Sequence, residues 1–296
     1  MFQINSRILY PLDRPKVMQL SVFVRIANVW RAEGFSGFFE RCLKRVGFVD
    51  AVERKKLVAR KVLTDIVGYQ VIYGPFEGLK LPVKSWWGEH DVCSKILGQY
   101  EPHVIQFLES ALKSSDQLLD VGAADGYFAV GVLHANFCQQ VIAFEMSEAG
   151  RESIRSCAID NGVEDRINIQ GAADERRLIE CFEEKESKCV LIDIEGGEYS
   201  LLSEAVLFAM RGSNVVIELH PFLIEDGYQL EDILIKRAGE IFDISFLRRG
   251  SVPIDSFSEL NHLDDDTRTL IFSESRDMSM RWLCLTPKVE PMPKKI

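Results

Sequence analysis

Between residues 117 and 238 the chain alternates short apolar runs with stretches of helical period. The runs 117–121, 139–144, 166–170, 189–193 and 214–219 are each five or six residues long, mostly apolar at their centres and polar mainly at their ends. Such runs are what strands buried on both faces look like. Helical segments follow them: Tyr127-Phe128-Ala129-Val130 opens a buried one, Ser147 caps a second that stops near Asn161-Gly162, 175–188 is charged, and 201–210 and 230–238 complete the series. A serine before a helix and an Asn-Gly after it are start and stop signals with a hydrogen-bonding basis. Five strand–helix alternations predict a mostly parallel sheet with helices on both faces. Residues 241–248 and 280–285 read as two closing strands. The insertion between them, 249–279, carries Asp264-Asp265-Asp266 and suits a wall of a substrate pocket or a solvated loop with a short helix.

The pattern upstream is different. Val17, Leu20, Val24, Ala27 and Trp30 recur near helical spacing within residues 16–48, and 51–67 forms a second basic helix. Residues 68–82 read as a hairpin around Gly74-Pro75 and Gly78, followed by Trp86-Trp87-Gly88. Pro102 suits the first turn of a helix running through Leu112, which places Tyr100 and Glu101 at its start, over a ligand or in solvent. The expected division is therefore 1–67 as a helical appendage, 68–116 as a lead-in, 117–286 as the main domain and 287–296 as a frayed tail.

Charge sharpens this division. Residues 1–67 hold thirteen Lys or Arg and six Asp or Glu, a net of +7, whereas the chain as a whole carries −10. The remainder is therefore −17, a poor match for nucleic acid, whose phosphates demand a basic face. The basic helices suit packing on the main domain, pairing with a twin subunit in a homodimer, or contact with anionic lipid. No apolar run reaches membrane-spanning length and no secretory leader pattern opens the chain. Seven cysteines, an odd number without a C-x-x-C pair, point to reduced thiols and a cytoplasmic setting, with the inner membrane face as a peripheral alternative.

The candidate chemistry lies at the strand ends. Asp120-Val121-Gly122-Ala123-Ala124-Asp125-Gly126 joins the first strand to its helix. A dinucleotide loop would carry G-x-G-x-x-G, and here Ala124 fills the second glycine slot. The D-x-G-x-x-x-G spacing from Asp120 to Gly126 suits S-adenosylmethionine (SAM), whose ammonium Asp120 would hold, with Gly122, Ala123 and Gly126 letting backbone approach the ligand. Glu145 ends the second strand nineteen residues after Gly126, the place for an acid that bonds ribose hydroxyls. Met146 follows it, and Ala172 after the third strand leaves room for a flat adenine. The fourth strand ends in Asp193-Ile194-Glu195-Gly196-Gly197-Glu198 and the fifth in Glu218-Leu219-His220-Pro221. Asp193, Glu195 and His220 are the catalytic candidates: a carboxylate at the mouth of a buried strand is costly unless used or paired, and imidazole titrates in the working range. Asp193 with Glu195 or Glu218 is also a candidate Mg²⁺ site.

On Asp120 to Tyr127, Phe144-Glu145, the D-x-E-G-x-E run from Asp193 to Glu198, and Ile217-Glu218-Leu219-His220-Pro221, the chain resembles the FkbM-like family of class I SAM-dependent methyltransferases over roughly residues 95 to 220. The chain departs from the family at Met146, where many members have proline, and at Asp125, where many have asparagine. The resemblance implies a Rossmann-like, seven-stranded sheet with an antiparallel last strand, and O-methylation of a hydroxyl on a sugar, glycolipid or natural product. It implies that Asp120, Gly122 and Glu145 bind SAM. A non-catalytic nucleotide-binding module would explain the loop and Glu145 but leave the acids after residue 192 idle. An NAD-dependent oxidoreductase is the third option, opposed by the missing middle glycine.

Overall fold

The computed structural model describes residues 51–86, 90–183, 187–273 and 280–288. The helix expected over 16–48, Trp87, and the tail beyond Lys288 lie outside these residues. The chain divides into two units, 1–55 and 56–296, and the fold described here is that of the second.

The second unit is a Rossmann-like α/β fold. Its sheet contains β1 (Gln117–Val121), β2 (Gln140–Phe144), β3 (Ile167–Gln170), β4 (Cys189–Ile192), β5 (Asn214–Glu218), β6 (Phe242–Arg248) and β7 (Arg281–Pro287), in the order β3-β2-β1-β4-β5-β7-β6. The first five strands run parallel, and β7 is antiparallel to both neighbours. The sheet and its antiparallel last strand match the sequence-based expectation.

Successive residues of each strand serve opposite layers, as the pleat requires. Leu118, Val141, Ala143, Leu191 and Val216 face one core. It is built with α1 (Ala51–Val67), α2 (Val92–Ile96), α3 (Pro102–Ala111), α4 (Tyr127–His134) and α5 (Glu148–Asp160). Leu119, Val121, Val190, Ile192 and Ile217 face the other. Its cover is α6 (Glu175–Glu180), α8 (Glu204–Ala209) and α9 (Gly227–Ile241). The helix expected over 201–210 is two pieces, α7 (Glu198–Leu201) and α8, because Ser203 turns extended and its hydroxyl accepts from the Val206 amide to cap a new start.

Several upstream expectations change. The hairpin at 68–82 reduces to one antiparallel bridge, Gln70 with Lys80, since glycines at 74 and 78 take left-handed conformations and the chain curls between them. Glu101 is not at a solvated helix end. It is 2% exposed, with φ 44°, directly before Pro102 at the first position of α3. The insertion is more than a solvated loop: Phe257, Leu260, Ile271 and Phe272 are buried in the first core, and the Tyr73 hydroxyl donates to Glu259 at 3.0 Å. Asp264 caps α10 (Asp265–Leu270) by accepting from the Thr267 amide.

A buried ion network fastens the lead-in to the loop after β1. Lys95 on α2 lies 2.8 Å from Asp91 and 3.0 Å from Asp125, with Ser85 also donating to Asp125. Its ammonium sits 5.0 Å from the Tyr100 ring centre and 5.4 Å from that of Tyr127. Burial alone would pull the Lys95 pKa down, but the two carboxylates more than reverse this and hold it above its ordinary value. Burial likewise pushes Asp125 up, and Lys95, Ser85 and the Tyr127 amide pull harder, leaving it below the usual range.

Removing the cation should leave two buried carboxylates uncompensated, so Lys95→Met is expected to destabilise by about 3–5 kcal/mol in urea unfolding. A carboxylate with a depressed folded-state pKa contributes stability above its unfolded value of about 4, lost as pH falls through the folded value. The stability gap between wild type and Asp125→Asn should therefore close as pH drops below about 4. A gap that stays constant across that range would show that the Asp125 charge is not what stabilises the loop.

Candidate functional site

The strand order places β1 between β2 and β4, whose crossovers leave toward opposite faces of the sheet, so a crevice opens above the carboxyl ends of these three strands. A cavity of about 500 Å³ occupies it. That volume is within the range of small-molecule sites. Its walls come from the four consecutive strand ends: Gly122 and Ala124 after β1, Phe144 to Met146 at β2, Ala172 to Glu175 after β3, and Asp193 to Glu195 after β4. Trp86 closes one side, and Ser200 and Leu201 of α7 another.

The loop after β1 is shaped by the neighbouring strand. Gly122 has φ 97°, and a Cβ there would stand 1.7 Å from the Asp193 carbonyl oxygen. Glycine is thus required by close approach of the β1 and β4 ends, not by a ligand as its place in the loop suggests. Gly126 (φ 88°) is the turn before α4 and is buried against Val130 and Ile154, away from the cavity. Ala123 is also buried in the core. Its neighbour Ala124 lines the cavity instead, in a left-handed conformation (φ 49°) that costs a residue with a Cβ on the order of 1–2 kcal/mol. Glu145 holds it there, accepting from the Ala124 amide at 3.0 Å and from the Ser147 amide at 2.7 Å. The Trp86 indole N–H donates to the Ala124 carbonyl at 2.9 Å. A carboxylate has about four lone-pair sites, so Glu145 keeps acceptor capacity facing the cavity.

Asp120 lies beneath this loop, buried, with Oδ2 lacking a hydrogen-bond partner. Burial, then the charges of Asp193 and Glu145, push its carboxyl up to about 8. A cation arriving nearby would reverse that penalty. Met146 is largely exposed at the cavity rim, and Ala172 and Ala173 form a low wall beside Phe144. Arg177 closes that wall from outside, donating to the Ala172 carbonyl at 2.8 Å. Tyr100 is not part of the cavity; its ring packs edge-on against Tyr127 at 5.4 Å.

The catalytic candidates converge at the other end of the crevice. His220, just past β5, is 2% exposed. Its Nε2 is 3.7 Å from Asp193 Oδ1, 3.6 Å from Glu195 Oε2 and 3.9 Å from Glu218 Oε2. Its Nδ1 is 3.4 Å from Glu198 Oε1. Glu198 is fully buried and fixes both loops, accepting from the Gly196 amide at 2.9 Å and the His220 amide at 2.8 Å. Burial pulls the imidazole pKa down, but Glu198, Asp193 and Glu195 outweigh it and hold it above its ordinary value. Asp193 is held well above the carboxylate range by lost hydration and by Glu218. Glu195 sits at φ 51°, a second strained non-glycine residue on the cavity wall.

Asp193, Glu195 and His220 each offer one atom to a group whose members all lie within 4.8 Å of one another; Glu218, buried, stands outside that trio. Sequence reasoning did not single out Ala124, Arg177, or Glu198 as the anchor of His220. For Glu198 a signal existed: a third acid five residues beyond Asp193, directly after two glycines.

No family model matches the chain, and no curated protein matches it by sequence. Solved structures that resemble it include the O-methyltransferase TomG from Streptomyces achromogenes, involved in tomaymycin synthesis and determined with SAM. The two are 12% identical, and the likeness covers 81% of this chain and 100% of that one with a TM-score of 0.45. An O-methyltransferase from Bacillus cereus in complex with SAH is 13% identical, over 83% of this chain and 96% of that one, with a TM-score of 0.42. Geranyl diphosphate C-methyltransferase from Streptomyces coelicolor A3(2) is 12% identical, over 71% and 86%, with a TM-score of 0.42.

Proposed function

We propose that the chain is a SAM-dependent methyltransferase that moves the SAM methyl group to a hydroxyl oxygen of a sugar, glycolipid or natural product. The observation that carries this reading is the single crevice whose opposite ends are Glu145 and Asp193, with Asp120 buried beneath it. The residues fit the cofactor. Phe144, Ala172 and Ala173 form a flat apolar slot for adenine, and Glu145 faces the ribose hydroxyls. The unpartnered Asp120 oxygen and the acids beyond it supply the negative field that an ammonium and a sulfonium require. The FkbM-like motifs in the same positions support the acceptor class.

SAM when bound supplies an activated methyl on a good leaving group, so the protein's contribution is alignment, water exclusion and removal of the acceptor proton. The cluster around His220 is where that proton leaves, because Asp193 and Glu195 line the cavity wall and His220 stands directly behind them. The neighbouring carboxylates raise the proton affinity of His220 and Asp193, so the forms that take the acceptor proton are those present above the raised pKa values.

Incubation with methyl-labelled SAM and extracts of small molecules and cell-envelope glycans should label a hydroxyl-bearing acceptor; binding of NAD in place of SAM by calorimetry would overturn the assignment. Glu145→Ala should weaken SAM about 10- to 100-fold, because two backbone amides and the ribose lose a charged acceptor. Asp193→Ala should leave SAM affinity largely intact and lower turnover by about 10²- to 10⁴-fold; unchanged turnover removes Asp193 from the reaction. Gly122→Ala should force the β1 and β4 ends apart, lowering the melting temperature and weakening SAM by about tenfold or more. Unchanged SAM affinity in that variant would show that the loop does not depend on this contact.

A further inference from the structure

The centre at the ends of β4 and β5 gathers more carboxyl groups than a proton acceptor needs. Three carboxylates, from Asp193, Glu195 and Glu218, lie within 4 Å of a single imidazole nitrogen. Among the described residues no Lys or Arg comes within 4 Å of Asp193 or Glu195. That imidazole is 98% buried, and its Nε2 points into the cluster without a hydrogen bond, every distance there being 3.6 Å or more. Asp193 Oδ1 is likewise buried and without a hydrogen-bond partner. A buried donor and acceptor that face each other without closing the gap are the arrangement expected around a third body.

The distances suit a metal ion. Two ligand atoms about 2.1 Å from a common ion, at tetrahedral or octahedral angles, stand about 3.0–3.4 Å apart. The observed separations from His220 Nε2, 3.7 Å to Asp193 and 3.6 Å to Glu195, need to close by a few tenths of an ångström, and the Asp193 and Glu195 oxygens, which lie within 4.8 Å of one another, close further by movement of Glu195. The partly exposed Glu195 side chain has room to do so. Behind His220, Glu198 faces Nδ1 at 3.4 Å while two backbone amides fix its own carboxylate. Nδ1 makes no closed hydrogen bond here, but a carboxylate facing it favours the proton on that nitrogen and the lone pair on Nε2, which is the usual support of a metal-bound histidine.

We propose that Asp193, Glu195 and His220 bind one divalent transition-metal ion of the Mn²⁺ type, with Glu198 as the positioning residue of His220. An imidazole among two carboxylates favours Mn²⁺ or a softer neighbour over Mg²⁺, which prefers an all-oxygen, largely hydrated shell. Asp193 and Glu195 line the cavity, so the ion's open positions face the crevice. There it would bind acceptor oxygens and make a hydroxyl more acidic. That use of the ion rests on the methyl-transfer reading; the binding of the ion does not.

The test is titration of the full chain, stripped with a chelator, with manganese chloride while the free-ion EPR signal is followed. Wild type should take up one Mn²⁺ per chain, and a tenfold excess of Mg²⁺ should not displace it. Asp193→Asn and Glu195→Gln should each weaken uptake at least tenfold, and Glu198→Gln by about 10- to 100-fold. Glu195→Gln changes a half-exposed side chain, so its result stands even if the buried variants unfold. No saturable uptake, or uptake that Glu195→Gln leaves within twofold, overturns the inference. SAM calorimetry on the same samples separates the two readings. SAM binding without Mn²⁺ uptake overturns the metal centre and leaves methyl transfer standing; Mn²⁺ uptake without SAM binding does the reverse.

Discussion

The contact on which the site depends is between two pieces of backbone. The Gly122 Cα lies so close to the Asp193 carbonyl that no side chain fits between them. Around it the ladder continues past the strands: Asp193 donates its amide to the Val121 carbonyl at 2.9 Å, and Gly122 and Ala123 both donate to the Phe144 carbonyl. Three strand ends are thereby locked at one level. The acids that follow them inherit that level, which is why Glu145 and Asp193 share a cavity although 48 residues apart in sequence.

The same constraint makes strain tolerable. Ala124 and Glu195 both adopt left-handed backbone on the cavity wall, a conformation that persists only where surroundings over-determine it. Ala124 is held by Glu145 below and Trp86 above, through its amide and its carbonyl respectively. Glu195 is held by its neighbours Gly196 and Glu198, whose hydrogen bond closes the turn. The lead-in segment contributes from the other side. Lys95 neutralises Asp125, so the far end of the loop can be buried without a cost that would open it.

The parts of this arrangement visible in the sequence are those governed by period and by strand ends. Apolar runs of five or six residues identified the parallel strands, and acids directly after them marked the crevice, because side chains at those places have nowhere else to point. The less legible parts depend on contacts between distant segments. Nothing local distinguishes Lys95 from a surface lysine on a short helix, and its burial follows from Asp91 and Asp125 meeting across thirty-four residues. Gly122 was legible as a necessary glycine but not its reason, since the Asp193 carbonyl arrives from a strand seventy positions away. Proximity to the first strand suggests a place for Tyr100 at the ligand, whereas two aromatic neighbours on α4 hold it in the core layer.

Glu198 carries a consequence for how much the centre can adapt. With both oxygens consumed by backbone amides of two different loops, it behaves as a crossbar of fixed length. The spacing between the β4 and β5 ends is then set by main chain rather than by rotamers, so Asp193 and His220 have little latitude. Glu195, with its side chain nearly half exposed, is the adjustable member. Accommodation of differently shaped guests falls to that one side chain, while the rest of the centre stays rigid.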